Sequence, residues 1–172
     1  MTAPVSHADF AFALLVPGER EQVAAMWRGA LLQHFALAEA VALDCIIVLR
    51  DTNRLKGTLP QLFTSWDRFE RIEHVIDLAE FGKQGTKTSA LLKQMQMHRD
   101  LRNGLAHGRL QCSTTGVAIS WREVRSDKVD PKTLPLTWPA MLAKLQSVEK
   151  LAGDLSSQLG QIRHFCAQSR QD

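Results

Sequence analysis

The sequence predicts a mainly α fold: a bundle of about four long helices with a small β-hairpin between helices three and four. Three patterns predict it. Apolar residues recur every three or four positions over most of the chain, the period of helices buried on one side. Between Leu110 and Trp121 the period drops to two. Thr, Pro and Gly punctuate the boundaries between these stretches. The 172 residues suit a single domain, 1–172, with a sizeable core.

Residues 1–18 hold an apolar patch, Phe10 to Val16, closed by Pro17-Gly18, and read as either a short docking segment or a frayed N-terminal arm. The first long helix runs from about Glu19 to Arg50, with Val23, Trp27, Leu31, Leu37, Val41 and Cys45 on its apolar side. Its end, Ile46 to Leu49, is apolar all round, which predicts deep burial. Asp51 to Gly57 is a polar connection. Thr58 is suited to cap a second helix with Pro60 in its first turn. Leu62, Trp66, Phe69, Ile72, Ile76 and Ala79 form its stripe, and Gly82 and Gly85 end it.

A third helix starts near Thr86 or Thr88 and carries Leu91, Leu92, Met95, Leu101 and Leu105. Leu110 and Cys112, then Val117, Ile119 and Trp121 after Thr115-Gly116, alternate as the strands of a hairpin. Two strands alone are marginal, so the hairpin must pack on helices. Ser126 to Pro135 reads as a charged, Pro-containing connection. Thr137 caps the last helix, with Pro139 early in it. There Met141, Leu145, Val148, Ala152, Leu155, Leu159, Ile162 and Cys166 make a heptad seam, read first as internal core and second as a dimer interface. All four Trp residues, at 27, 66, 121 and 138, read as core, and Gly153 and Gly160 as tolerated glycines.

The formal charge of +3 permits an anionic partner without demanding one. Its distribution says more. Lys83, Lys87, Lys93, Arg99, Arg102 and Arg109 face the single acid Asp100 in that stretch, which leaves the rest of the chain slightly acidic. The plainer reading of these cations is a solvated helix face. The three cysteines are far apart and in no metal-ligand spacing, and read as buried thiols of a reducing compartment. No histidine pair has the spacing of a metal motif, and no Gly-rich phosphate loop or nucleophile elbow occurs. The expectation is therefore no metal and no cofactor. The start of the chain is short, polar and acidic rather than a secretory signal, and no run approaches the roughly 18 uninterrupted apolar residues of a membrane helix. A cytoplasmic protein without a membrane partner is the expectation.

The candidate site is the run Arg102-Asn103-Gly104-Leu105-Ala106-His107-Gly108, at the end of the third helical pattern. A guanidinium binds and neutralises phosphate, an imidazole moves protons near neutral pH, and a carboxamide orients either. That set suffices for cleaving RNA without a metal. On an unbroken helix Arg102 and His107 lie about 140° apart in projection, whereas Asn103 and His107 stack one turn apart. Either the helix distorts near Gly104, or a second copy of the chain completes the site across a two-fold axis.

This run resembles the RNxxAHG form of the Rx4–6H motif of HEPN domains. The resemblance implies a helical, often dimeric domain and a metal-independent endoribonuclease, of the kind found among toxins and defence effectors. It implies that His107 serves as general base on the ribose 2′-hydroxyl or as acid on the leaving 5′-oxygen, that Arg102 holds the scissile phosphate, and that Asn103 orients one of them. Arg99, Arg109 and Lys93 would add salt-sensitive attraction to the RNA backbone. The partners implied are RNA, a second copy of the chain and, in the toxin branches, a cognate antitoxin protein. The alternative is a non-catalytic helical dimer that binds RNA or a partner protein. In that reading Arg102 pairs with a carboxylate, Asn103 caps the helix end, and His107 favours the helix C-terminus as a cation.

Overall fold

The computed structural model describes residues 17–56, 65–76, 79–125 and 128–168. Among them the chain forms α1 (Pro17–Asp51), α2 (Ser65–Ile76), a 3-10 turn (Ala79–Phe81), α3 (Gly82–Gln96), α4 (Arg99–His107), β1 (Arg109–Cys112), β2 (Gly116–Arg125), β3 (Lys128–Thr137) and α5 (Trp138–Gln168). The protein is mainly helical with a small antiparallel sheet in the order β1-β2-β3. The arm at 1–16, Thr58, Pro60 and Leu62 lie outside the described residues.

Three sequence expectations change. The hairpin is a three-stranded sheet, because the stretch read as a connection after Ser126 is β3. Pro131 and Pro135 argued against a strand, yet both sit on an edge strand opposite Arg122 and Ala118. Four residues apart, they point their nitrogens the same way, out of the sheet, where no ladder hydrogen bond is lost. The third helix is two helices: Met97 and His98 form a turn in which the amides reach back to Lys93 and Met95, and α4 starts afresh at Arg99. Gly82 and Gly85 begin α3 rather than end α2, Gly82 turning the chain at φ +46°.

Two compact units make up the chain, one from residues 1–33 and 100–147, the other from 34–99 and 148–172. The helices α1 and α5 contribute to both.

In the first unit the sheet turns one face inward. Leu110, Ile119 and Leu134 pair across the three strands, as do Cys112, Val117 and Leu136. Val117 and Ile119 are buried. The opposite face carries Arg109, Ser120 and Thr133 in one cross-strand row. Trp27 of α1 is buried, and its indole donates to the Met141 carbonyl of α5 at 2.7 Å. Beside that bond lies an apolar groove of about 290 Å³ lined by Val23, Ala30, Trp138 and Leu145, with Met26 and Leu142 exposed. Thr137 caps α5, its hydroxyl accepting the Ala140 amide at 3.3 Å.

In the second unit the seam of α5 is core: Val148, Ala152, Leu155, Leu159, Ile162 and Cys166 are all essentially inaccessible. Gly153 and Gly160 face open space, consistent with tolerated glycines. On α1, Phe35, Ala38, Ala42, Cys45, Ile46 and Leu49 are buried, whereas Leu37 is 45 % exposed and Ile47 and Val48 are half-buried, so the helix end is not enclosed all round. The helix stops at a Schellman turn: Asn53 takes φ +58°, its amide reaches the Arg50 carbonyl, and the Arg54 amide reaches Leu49. Arg54 then forks onto Glu80, Nε to Oε1 at 2.9 Å and Nη2 to Oε2 at 3.1 Å.

By length and composition α1 could cross a membrane, with a mean hydropathy of 1.7 in its most apolar window. Glu39 and Asp44 fall within that helix and interrupt its apolar run. Asp44 pairs with Arg163 at 3.1 Å, and the Glu39 backbone carbonyl accepts from Arg68 at 3.5 Å.

Burial, and then the neighbouring Cys166, pushes the Cys45 thiol up to about 12 from 9.0. The folded state then keeps a proton that the unfolded chain loses. This contribution to stability is complete below pH 9 and is lost as pH rises from 9 towards 12. The chain has no Tyr, so no phenol titrates in that window. Urea unfolding at pH 8, 9 and 10 should show stability falling by up to about 1.4 kcal/mol per pH unit for this group, with a shallower fall in Cys45→Ala. An identical slope in the variant would mean the thiol is not the titrating group.

Candidate functional site

The helix α4 carries the motif up to His107, and it is regular throughout, its last turn closed by the Gly108 amide on the Gly104 carbonyl at 2.7 Å. Leu101, Gly104 and Leu105 form its buried stripe. The helix does not distort at Gly104, so within one chain Arg102 and His107 remain about 140° apart in projection.

The glycines of the motif have a packing cause. A Cβ at Gly104 would stand 3.0 Å from Cε3 and Cζ3 of Trp121 and 3.2 Å from Cγ2 of Ile119. At Gly108 it would overlap the Gly104 carbonyl oxygen and meet Ile119 Cγ2 at 3.0 Å and the Ser120 carbonyl oxygen at 3.1 Å. Two positions without side chains therefore let the helix end lie directly on β2. Trp121, expected in the core, is instead half-buried with its ring over Gly104, while Trp27 and Trp138 are buried as expected.

The polar members sit at graded exposure. Arg102 and Asn103 are half-buried and His107 is exposed. Among the described residues the His107 imidazole makes no hydrogen bond. Asn103 lies inside the helix, four residues before its end, and its carboxamide caps nothing there. The cap comes from elsewhere: Nη2 of Arg28, on α1, donates to the Ala106 carbonyl at 3.3 Å. Arg28 lies 78 positions from Ala106 and carries no local signal of its neighbour in the sequence.

Of the expected RNA-binding cations, Arg109 is exposed on the outer face of the sheet, beside Ser120 and Thr133, whose hydroxyls are 3.2 Å apart. Arg99 is exposed at the first position of α4. Lys93 belongs to the second unit and pairs there with Glu73 at 3.2 Å, a carboxylate that also accepts from Gln96. His98 is half-buried and its ring lies 6.4 Å from that of Phe35, tilted by 58°. Cys112 is held above the usual thiol range, chiefly by burial and then by Glu21, against the opposing pull of Arg20. It stays a protonated thiol near neutral pH, which makes it a poor nucleophile.

Comparison with protein-family models, with curated proteins and with solved structures returns no match to this chain. The case for function therefore rests on the residues themselves.

Two glycine substitutions test the packing. Gly104→Ala gains helix propensity, worth about 1 kcal/mol, but forces the Trp121 ring and Ile119 to move, which costs about 1–3 kcal/mol. A net loss of stability and a changed Trp fluorescence are expected. Gly153→Ala, whose Cβ meets nothing within 4 Å, should instead gain up to about 1 kcal/mol. Equal gains at both sites in chemical denaturation would refute the close approach of α4 to β2.

Proposed function

We propose that this chain is a metal-independent endoribonuclease of HEPN type that acts as a homodimer. The observation that carries the reading is α4 itself. Its end presents an exposed imidazole with no hydrogen-bond partner among the described residues, one turn beyond a half-buried carboxamide and close in sequence to a half-buried guanidinium. A structural role by hydrogen bonding would give His107 something to hold, and among the described residues it holds nothing in that way.

In this mechanism His107 takes the proton of a ribose 2′-hydroxyl, and the freed oxygen attacks the adjacent phosphorus. The bond from phosphorus to the 5′-oxygen breaks, that oxygen takes up a proton, and the products are a 2′,3′-cyclic phosphate and a 5′-hydroxyl. Arg102 neutralises the charge that builds on the phosphoryl oxygens, and Asn103 orients the imidazole or the phosphate. Arg99, Arg109 and Lys93 attract the backbone at longer range. The regularity of α4 supports a site shared between two copies, Arg102 from one acting with His107 from the other. Under this reading the protein works in the cytoplasm, as a toxin or defence effector held in check by an antitoxin protein.

The second reading, a helical dimer that binds RNA or protein without cutting, draws on Gly104 and Gly108. Their contacts with β2 account for both glycines by packing alone.

Cleavage of RNA in EDTA separates the two. Wild type should yield cyclic-phosphate ends, and Arg102→Ala and His107→Ala should each lose on the order of 10²–10⁴ in rate while remaining folded. Mixing the two inactive variants and allowing subunits to exchange should restore about one quarter of wild-type activity, because half the dimers are mixed and each holds one intact site. No recovery from mixing would refute the shared site. No cleavage by folded wild type across several RNAs would favour the binding module.

A further inference from the structure

The C-terminal end of a helix exposes carbonyls with no partner in the helix, and together they carry a partial negative charge. In α4 one of these, Ala106, is taken by Arg28. That bond uses one of five guanidinium N–H groups and a neutral acceptor, so the charge meets only the partial negative end of the helix and not a carboxylate. None of the ion pairs among the described residues includes Arg28. Its Nε and Nη1 make no hydrogen bond there and are not sealed from solvent.

Its position is specific. Ala106 lies four residues after Arg102 and therefore in the same row of α4. Arg28 reaches the end of that row from a different element, next to the backbone of His107. Its neighbour Trp27 is fixed by the hydrogen bond to Met141, so the stretch of α1 that presents Arg28 is anchored. The side chain is half-buried and already ordered, and little conformational entropy remains to be lost when it takes a ligand. A guanidinium with a free edge is shaped for the two oxygens of a phosphate.

We infer that Arg28 is a second phosphate-binding guanidinium of the site, taking a backbone phosphate of the RNA strand whose cleavage is assigned to Arg102 and His107. The inference rests on the ribonuclease reading for the identity of the ligand, but not on cleavage. Binding is therefore measured with a fluorescently labelled, single-stranded 2′-O-methyl RNA of about 20 nucleotides, which lacks the attacking hydroxyl. The full chain is titrated at several salt concentrations.

In Arg28→Gln the slope of log affinity against log salt should fall by about 0.7, one single-strand phosphate contact, while Arg28→Lys keeps the slope. A role confined to capping α4 would lower the unfolding midpoint and leave the slope unchanged. On wild type, bound RNA should shield Arg28 from phenylglyoxal, read by mass spectrometry, which serves equally if the glutamine variant does not fold. An unchanged slope in folded Arg28→Gln, modification of Arg28 at the same rate with and without RNA, or no binding by wild type would each overturn the assignment. Failure of wild type to cut unmodified RNA, with the slope still falling in Arg28→Gln, would instead overturn the nuclease reading alone.

Discussion

The close approach of α4 to β2 is the constraint on which the candidate site depends. A helix lies this near a strand only where its facing positions lack side chains, and Gly104 and Gly108 supply them. The indole of Trp121 and the methyl of Ile119 then fill the space a Cβ would occupy. The contact fixes both the roll of α4 and the point at which it ends. Leu101 and Leu105 turn inward with Gly104, and His107 comes out at the surface as a result. Helix propensity alone would disfavour a glycine inside a nine-residue helix and a second directly after it, so packing decides the composition here.

A rigid helix also limits what one copy can do. Groups four residues apart share a row and groups five apart do not, so Asn103 belongs with His107, and Arg102 with Ala106. The structure adds Arg28 to the second row. Arg102 and the backbone carbonyl that Arg28 holds thus share one row, while the imidazole stands on the next. Such a distribution suits chemistry in which anion binding and proton transfer are brought onto one phosphate from two sides.

Much of the fold was legible because its signals are local and periodic. The α5 seam, its Thr137 cap and the β1–β2 hairpin all follow from spacing that survives in the structure. What was not legible depends on neighbours remote in sequence. The strand β3 was hidden by Pro131 and Pro135, which are harmful in a central strand and harmless on an edge, and only the sheet order tells which. The break at Met97 and His98 carries no Gly or Pro, and its one local trace is the six-residue gap between Met95 and Leu101, where His98 and Arg99 take the expected apolar places. At the site, the motif residues were legible as residue types, whereas the cause of the glycines lay in Trp121 and Ile119, and the cap lay 78 positions away in Arg28.

Each of the two units is assembled from stretches far apart in the chain, and α5 supplies part of both. During synthesis neither unit can close until the residues of α5 have left the ribosome. Until then α1, the most apolar of the long segments, has no partner for faces such as those around Trp27 and Cys45, which α5 helps to bury. The nascent chain therefore carries this burden of exposed apolar surface until α5 emerges. A chain that stalls short of α5 is a natural client for chaperones or proteases, so both units become available together or not at all.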